Sequence, residues 1–282
     1  MRVAVTGAAG FTGRYLLPAL ERRGHAAIAL EADVTDRHAL VAAIVHDRPD
    51  AVIHLAAQAF VNVADFGGFY AVNQVGTFNL LDVLATHAPG AQVILASTAQ
   101  VYGAQASGLL DEDQPVLSAN HYALSKAAME TGSRFWADRL RITIVRPFNY
   151  TGVGQQARYL VPKIVDHFRR RAAAIELGNI DVRRDFGDVR SVVEAYVALL
   201  ETAAMPTVYN VSTGIVESVR GIVERLETMT GHRIEVRINP EFVRVDDVPV
   251  LGGCNDRLRQ AAPDWHPRSI DDTLYWMVNA VD

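Results

Sequence analysis

Tyr122 and Lys126 stand four residues apart in the segment Tyr122-Ala123-Leu124-Ser125-Lys126. On a helix that spacing puts both side chains on one face. An ammonium held there stabilises the phenolate and lowers the tyrosine pKa, because a nearby opposite charge favours the ionised form. Beside a dinucleotide site, such a tyrosine is a proton shuttle for hydride chemistry. The dinucleotide half of that pairing stands at the N-terminus, where Met1 to Gly13 reads MRVAVTGAAGFTG, an apolar run breaking into Gly7, Gly10 and Gly13. In a strand–turn–helix, the first glycine permits the tight turn and the second lets backbone approach a pyrophosphate. The third lets helix and strand pack closely. Phe11, Thr12 and Gly13 then open a helix whose free N–H groups and dipole favour phosphate.

Further residues fall where a dinucleotide would extend. Glu31 follows the second apolar run, 24 positions after Gly7 (31 − 7). A carboxylate there binds both ribose hydroxyls and repels a 2′-phosphate, which puts NAD(H) ahead of NADP(H). Asp33 and Val34 are candidates for the adenine edge. Leu55, Ala56, Ala57 and Gln58 would lie along the nicotinamide half, where the alanines are small enough for close approach. Ser97 and Thr98 end a further apolar run and place hydroxyls at the carboxyl edge of the sheet.

The elements that must position these groups alternate. Strands are predicted at 2–6, 26–30, 51–56, 92–96 and 141–146, and helices at 11–22, 37–46, 69–87 and 122–138. That alternation implies an α/β fold, a doubly wound parallel Rossmann sheet covered on both faces. After Pro147 the pattern loosens, with helices predicted at 191–201 and 216–230 and short strands at 208–211 and 234–238. The expected organisation is a dinucleotide-binding domain over 1–147. A smaller C-terminal α/β substrate lobe follows over 148–282, some of whose segments return to the first sheet.

The chain resembles the extended short-chain dehydrogenase/reductase family, on the glycine turn, the Ala96-Ser-Thr-Ala-Gln-Val-Tyr-Gly103 segment and the Tyr122/Lys126 pair. The resemblance implies that Thr98 hydrogen-bonds the substrate oxygen, that Tyr122 is the acid/base, and that Lys126 serves the nicotinamide ribose and the tyrosine. It adds Asn73 and Pro147 to the cofactor set, Asn73 chiefly as a structural support. Ser97 is expected to cap or pack. His121 stands where relatives commonly have proline, and is expected in the core or at the rim. The family's nucleotide-sugar 4,6-dehydratases carry an acid just after the threonine. Here Ala99 and Gln100 occupy those places, and neither can act as a general acid or base. Gln100 is expected to line the sugar pocket instead.

Three later segments also resemble the family's. Arg146-Pro-Phe-Asn-Tyr-Thr-Gly-Val-Gly-Gln155 implies a sugar or diphosphate contact from Asn149, and Arg183-Arg-Asp-Phe186 a diphosphate contact from Arg184. A segment running from Arg244 to Asp247-Val-Pro249 implies a second phosphate-facing arginine, with Asp247 beside it. Arginine suits the task because its planar fork binds two phosphate oxygens at once. Within the family the phrasing, with the late Trp265-His-Pro267, is most similar to reductases of GDP-4-keto-6-deoxymannose. The implied reaction is NAD(P)H-dependent reduction of a 4-keto sugar to GDP-rhamnose or GDP-6-deoxy-talose. The alternatives are an NAD-dependent nucleotide-sugar epimerase, a dTDP-sugar 4-ketoreductase, and a non-catalytic cofactor sensor. The last has no need of Tyr122. The family resemblance also implies a homodimer built on the 69–87 and 122–138 helices.

Composition narrows the partners. The 282 residues are 50% apolar and 21% charged with a formal charge of −5, so no nucleic-acid surface is expected. Cys254 is the sole cysteine, which excludes internal disulfides and any multi-cysteine metal site. No metal is expected. The sequence begins in a strand with no signal peptide ahead of it and contains no run of membrane-spanning length. A cytoplasmic enzyme is therefore expected.

Overall fold

The structure, a computed structural model, describes residues 1–59, 66–104, 106–202, 208–243 and 248–280. Its strands are β1 (Arg2–Thr6), β2 (Ala26–Leu30), β3 (Ala51–His54), β4 (Gln92–Ala96), β5 (Gly108–Leu110), β6 (Arg141–Pro147) and β7 (Asn149–Thr151). They continue as β8 (Ala174–Leu177), β9 (Arg183–Asp188), β10 (Val208–Val211), β11 (Val216–Ser218), β12 (Glu235–Ile238) and β13 (Val250–Gly253). Six of them form one parallel sheet in the order β10-β6-β4-β3-β1-β2. Its central strands carry continuous apolar runs, such as Val3-Ala4-Val5 and Val93-Ile94-Leu95, because helices cover both faces and the side chains of these runs are buried. From β1 the chain goes one way to β2 and then crosses to β3 on the other side. The switch point, where ligands bind in doubly wound sheets, therefore lies between β1 and β3.

Helices α1 (Phe11–Arg22), α2 (Arg37–Asp47), α3 (Gly67–Phe69), α4 (Thr77–His87) and α5 (His121–Ser133) belong to this half. A π-helical segment, Tyr70–Gly76, joins α3 to α4, so the helix predicted at 69–87 is one rod carrying a π turn. The helix predicted at 122–138 is α-helical only to Ser133 and finishes as the 3₁₀ turn Arg134–Trp136. Asp36 caps α2, accepting from the His38 and Ala39 N–H groups, and Asn120 caps α5, accepting from the Ala123 N–H. Gly10 heads α1 with no side-chain cap. The first N–H groups of α1 thus keep their donor capacity for a ligand.

The C-terminal half feeds both parts. β10 pairs with β6 on the first sheet, and the helix Val189–Glu201 packs its apolar face on that sheet's α1 side. A second sheet runs β11-β9-β13-β5, with β7 also pairing with β9. A third core, around Ile164, Phe168, Ile222, Leu226 and Leu274, closes the smaller lobe. The helix predicted at 216–230 is in fact β11 followed by the helix Val219–Thr230, with Ser218 capping the turn between them. Strands β5, β7, β8, β9 and β13 had no alternating signature. They are three to six residues long, too short for periodicity to register.

Candidate active site

The three glycines do different things. Gly7 has φ +66°, and a Cβ there would lie 2.8 Å from the Ala56 amide nitrogen, so the turn after β1 touches the chain leaving β3. At Gly13 a Cβ would fall 2.3 Å from the Ala8 carbonyl oxygen, which locks α1 against the turn. At Gly10 it would meet nothing closer than the Gly7 carbonyl oxygen at 3.1 Å. Two glycines serve the fold, while Gly10 borders open space beside an uncapped helix start. That arrangement fits a pyrophosphate.

Residues 55–58 form the opposite wall. Asn73, wholly buried in the π turn, accepts from the Gln58 N–H at 2.8 Å and donates to the Gln58 carbonyl at 3.0 Å and to Ser125 Oγ at 3.0 Å. It ties the wall to α5. A π turn offsets the helix register locally and is often found at functional sites. His54 is a brace: its ring nitrogens lie 2.7 Å from Thr6 Oγ1 and 2.9 Å from Thr77 Oγ1. Burial, with Lys126 adding to it, pushes its pKa down to about 3, so the imidazole is neutral. At the far end, Glu31 is exposed, and Asp33 folds its carboxylate back on the Thr35 N–H and hydroxyl. Val34 is buried against Gly76, so only its backbone is placed for a ligand edge. Leu55, Ala56, Ala57 and Gln58 are half-buried, and Pro147 ends β6 in the core.

Tyr122, Lys126 and Glu130 share one face of α5 at successive four-residue steps, and the end of β4 receives all three. Thr98 is hydrogen-bonded to the Tyr122 phenol. Lys126 donates from Nζ to the Ala96 carbonyl at 2.7 Å, and Ser97 donates from Oγ to Glu130 at 2.5 Å. Burial raises the Tyr122 pKa, Tyr150 adds to the rise, and the Thr98 bond partly opposes it. The phenol is therefore raised, not lowered, because desolvation outweighs its polar neighbours. Burial pulls Lys126 the other way, to about 8, against the charge of Glu130.

Residues 3–212 match the sequence pattern of the NAD dependent epimerase/dehydratase family. The chain belongs to that family. It is 35% identical over 264 residues to GDP-6-deoxy-D-talose 4-dehydrogenase of Aggregatibacter actinomycetemcomitans, covering 92% of this chain and 90% of that one. It is 32% identical over 282 residues to GDP-6-deoxy-D-mannose reductase of Pseudomonas aeruginosa, covering 94% and 92%. The structure of RMD from Pseudomonas aeruginosa complexed with NADPH superimposes with a TM-score of 0.90 at 30% identity, covering 98% of this chain and 97% of that one.

The residues expected to meet a substrate lie on separate elements. Asn149 is exposed on β7. Arg184, half-buried on β9, donates to the carbonyls of Arg183 at 2.9 Å and Val248 at 2.6 Å. Arg244 and Asp247 lie outside the described residues. Gln100 is exposed and accepts from Asn120 at 3.2 Å. Ala99 is buried with Tyr102 and Phe148. His121 sits at the rim, 2.8 Å from the Tyr70 hydroxyl and stacked on Phe66.

Sequence reasoning missed two partnerships. Arg146 is buried, donating from Nε and Nη2 to Glu130 at 3.0 and 2.7 Å. Tyr150 joins its hydroxyl to Thr12 at 2.8 Å, tying β7 to the first turn of α1. Glu130 could have been found, since it continues the four-residue step from Tyr122 and Lys126. Tyr150 carries no such signal.

Proposed function

We propose that this protein is an NAD(P)H-dependent 4-ketoreductase of a nucleotide-linked 4-keto-6-deoxyhexose. The sugar is GDP-4-keto-6-deoxymannose, and the product is GDP-rhamnose or GDP-6-deoxy-talose. The observation that carries the reading is the row Thr98–Tyr122, Lys126–Ala96 at the carboxyl edge of the sheet, beside the glycine turn. The two curated relatives support the sugar class, because both are named for GDP-6-deoxy sugars, one a 4-dehydrogenase and the other a reductase.

Gly10 and the N–H groups of Phe11, Thr12 and Gly13 hold the cofactor's pyrophosphate. Leu55 to Gln58, fixed by Asn73, and Pro147 flank its nicotinamide half. Bound NAD(P)H supplies a hydride to the sugar C4. Thr98 holds the C4 oxygen, and the Tyr122 phenol gives it the proton, so the carbonyl becomes an alcohol. A phenol of raised pKa is fully protonated at neutral pH and ready to donate. The phenolate it leaves is a buried anion, and the Lys126 ammonium on the same helix face stabilises it. Ala99 and Gln100 supply no acid or base for a dehydratase. Arg184 and Arg244 hold the diphosphate, Asn149 contacts the sugar or diphosphate, and Asp247 belongs to the same substrate set. The division into a cofactor domain over 1–147 and a substrate lobe over 148–282 belongs to the same proposal.

The fitting assembly is a homodimer in the cytoplasm. Val75 and Phe135, at 51% and 80% exposure, are apolar side chains on and beyond the two helices that would form its contact. No described helix is long and apolar enough to cross a membrane. The test is oxidation of NADH and NADPH with GDP-4-keto-6-deoxymannose generated in situ, with the product identified by NMR. A GDP-6-deoxyhexose confirms the reductase and gives its C4 stereochemistry. An altered sugar with no net oxidation would move the reading to an epimerase.

A further inference from the structure

We infer that Glu130 is a positioning residue for this reaction: its buried carboxylate, third in the row Tyr122–Lys126–Glu130, is the counter-charge that keeps the Lys126 ammonium protonated beside the acting phenol. The inference rests on the proposed roles of Tyr122 and Lys126. Three successive residues of one strand end, Ala96, Ser97 and Thr98, each hold one successive turn of α5. Glu130 is thus fixed by the same device that fixes the reacting pair. Residues four apart on a helix are neighbours. Lys126 is 1% exposed and Glu130 6%, so little solvent screens the charge between them.

The surroundings single out Glu130. From β3, His54 faces Lys126 as a neutral ring whose own pKa is held at about 3. On the same helix, Tyr122 is neutral. From β4, Lys126 receives only a carbonyl, the Ala96 oxygen at 2.7 Å. From β6, Arg146 faces Glu130 and grips it with two bonds. Glu130 is the charge that favours the ammonium, against a desolvation that draws Lys126 down to about 8. A buried ion pair does not by itself argue for stability, since apolar replacements often do as well. Here the Arg146 fork and the Ser97 hydroxyl supply three donors to one carboxylate, which hold it in one rotamer. Arg146 in turn donates to the Tyr102 hydroxyl at 3.1 Å, which donates to Asn210 at 2.7 Å, so β10 anchors the device from behind.

The test is the pH dependence of kcat for sugar reduction. An ammonium that must be protonated is present below its pKa and lost as pH rises through it, so the wild-type rate should fall through a basic limb near 8. Glu130→Gln keeps the shape and one acceptor oxygen for Ser97 and Arg146 Nε, but removes the charge and the acceptor of Arg146 Nη2. Its limb should move down by on the order of one pH unit, about a tenfold lower rate at fixed pH above it. Glu130→Asp should restore the limb. Because Glu130→Gln leaves Arg146 buried and unpaired, the double variant Glu130→Gln/Arg146→Met is measured in parallel, and it should fold and keep the lowered limb. A limb that stays at the wild-type pH in the folded variants, whatever their melting temperature, overturns the inference. Turnover that survives Tyr122→Phe would instead overturn the reaction itself, so the two failures are distinguishable.

Discussion

Gly10→Ala and Gly13→Ala should separate cofactor binding from folding within one turn of chain. A methyl at Gly13 would sit 2.3 Å from the Ala8 carbonyl oxygen and 2.6 Å from the Ala8 carbonyl carbon and Cα. All three are backbone, so α1 must withdraw by about 1 Å to reach ordinary contact. Overpacking of that kind costs about 1–3 kcal/mol, and rigid neighbours put Gly13 at the upper end. The better helix propensity of alanine offsets about 1 kcal/mol. The net is about 2 kcal/mol, or roughly 4–8 °C in melting temperature at about 2–4 °C per kcal/mol. Gly10 has φ −72° and ψ 175°, a conformation open to any residue, and its nearest neighbour is a carbonyl oxygen at 3.1 Å. Its alanine variant should melt within about 2 °C of wild type, since small losses there are balanced by reduced entropy of the unfolded chain, of about 0.4–1 kcal/mol. The same methyl, however, enters the space assigned to the pyrophosphate. An overlap of about 1–3 kcal/mol confined to the bound state weakens NADPH and NADH binding by roughly 5- to 150-fold. Thermal melts by circular dichroism and nucleotide fluorescence titrations read the two quantities separately. Wild-type cofactor affinity in a well-folded Gly10→Ala protein would refute the assignment of Gly10 to the pyrophosphate.

Tyr122→Phe should lower turnover by on the order of 10²–10⁴-fold, the usual yield of a general acid, while the dissociation constant for NADPH stays within a factor of about two; steady-state rates and fluorescence titration check both. Glu31→Ser should raise the preference for NADPH over NADH by roughly fivefold, since a carboxylate about 4 Å from a 2′-phosphate costs about 1 kcal/mol in water, and the ratio of kcat/KM for the two cofactors reads it. His54 makes the fold sensitive to acid. Its pKa falls from 6.5 in the unfolded chain to about 3, so its contribution is full above 6.5 and lost as pH falls from there toward 3. Urea midpoints should show a loss of roughly 2 kcal/mol between pH 7 and pH 5 from this group alone. His54→Gln should remove that slope while lowering stability at pH 7.

How much of this was legible in the sequence depends on whether a residue acts through spacing or through space. The glycine turn is written in three fixed steps. Its strand–helix setting is equally plain, because a parallel strand buried on both faces must be an unbroken apolar run. Tyr122 and Lys126 are legible for the same reason, and the next step in that register, Glu130, was legible but passed over. An acid inside a helix reads first as a solvated face. What reverses that reading is Arg146, sixteen positions on and on another strand, whose place behind α5 follows only from the sheet order. The electrostatics ran against expectation for a related cause. A lysine four residues away lowers a tyrosine pKa only when its charge outweighs desolvation, and burial is a property of the packed sheet rather than of the interval. In this protein the row from Tyr122 to Glu130 runs from a phenol whose pKa burial raises to a carboxylate paired with Arg146. The lysine between them, with its pKa drawn down to about 8, is the member poised to titrate near neutrality. On that argument the basic limb expected of the proposed reaction would report Lys126 rather than Tyr122, the proposed proton donor.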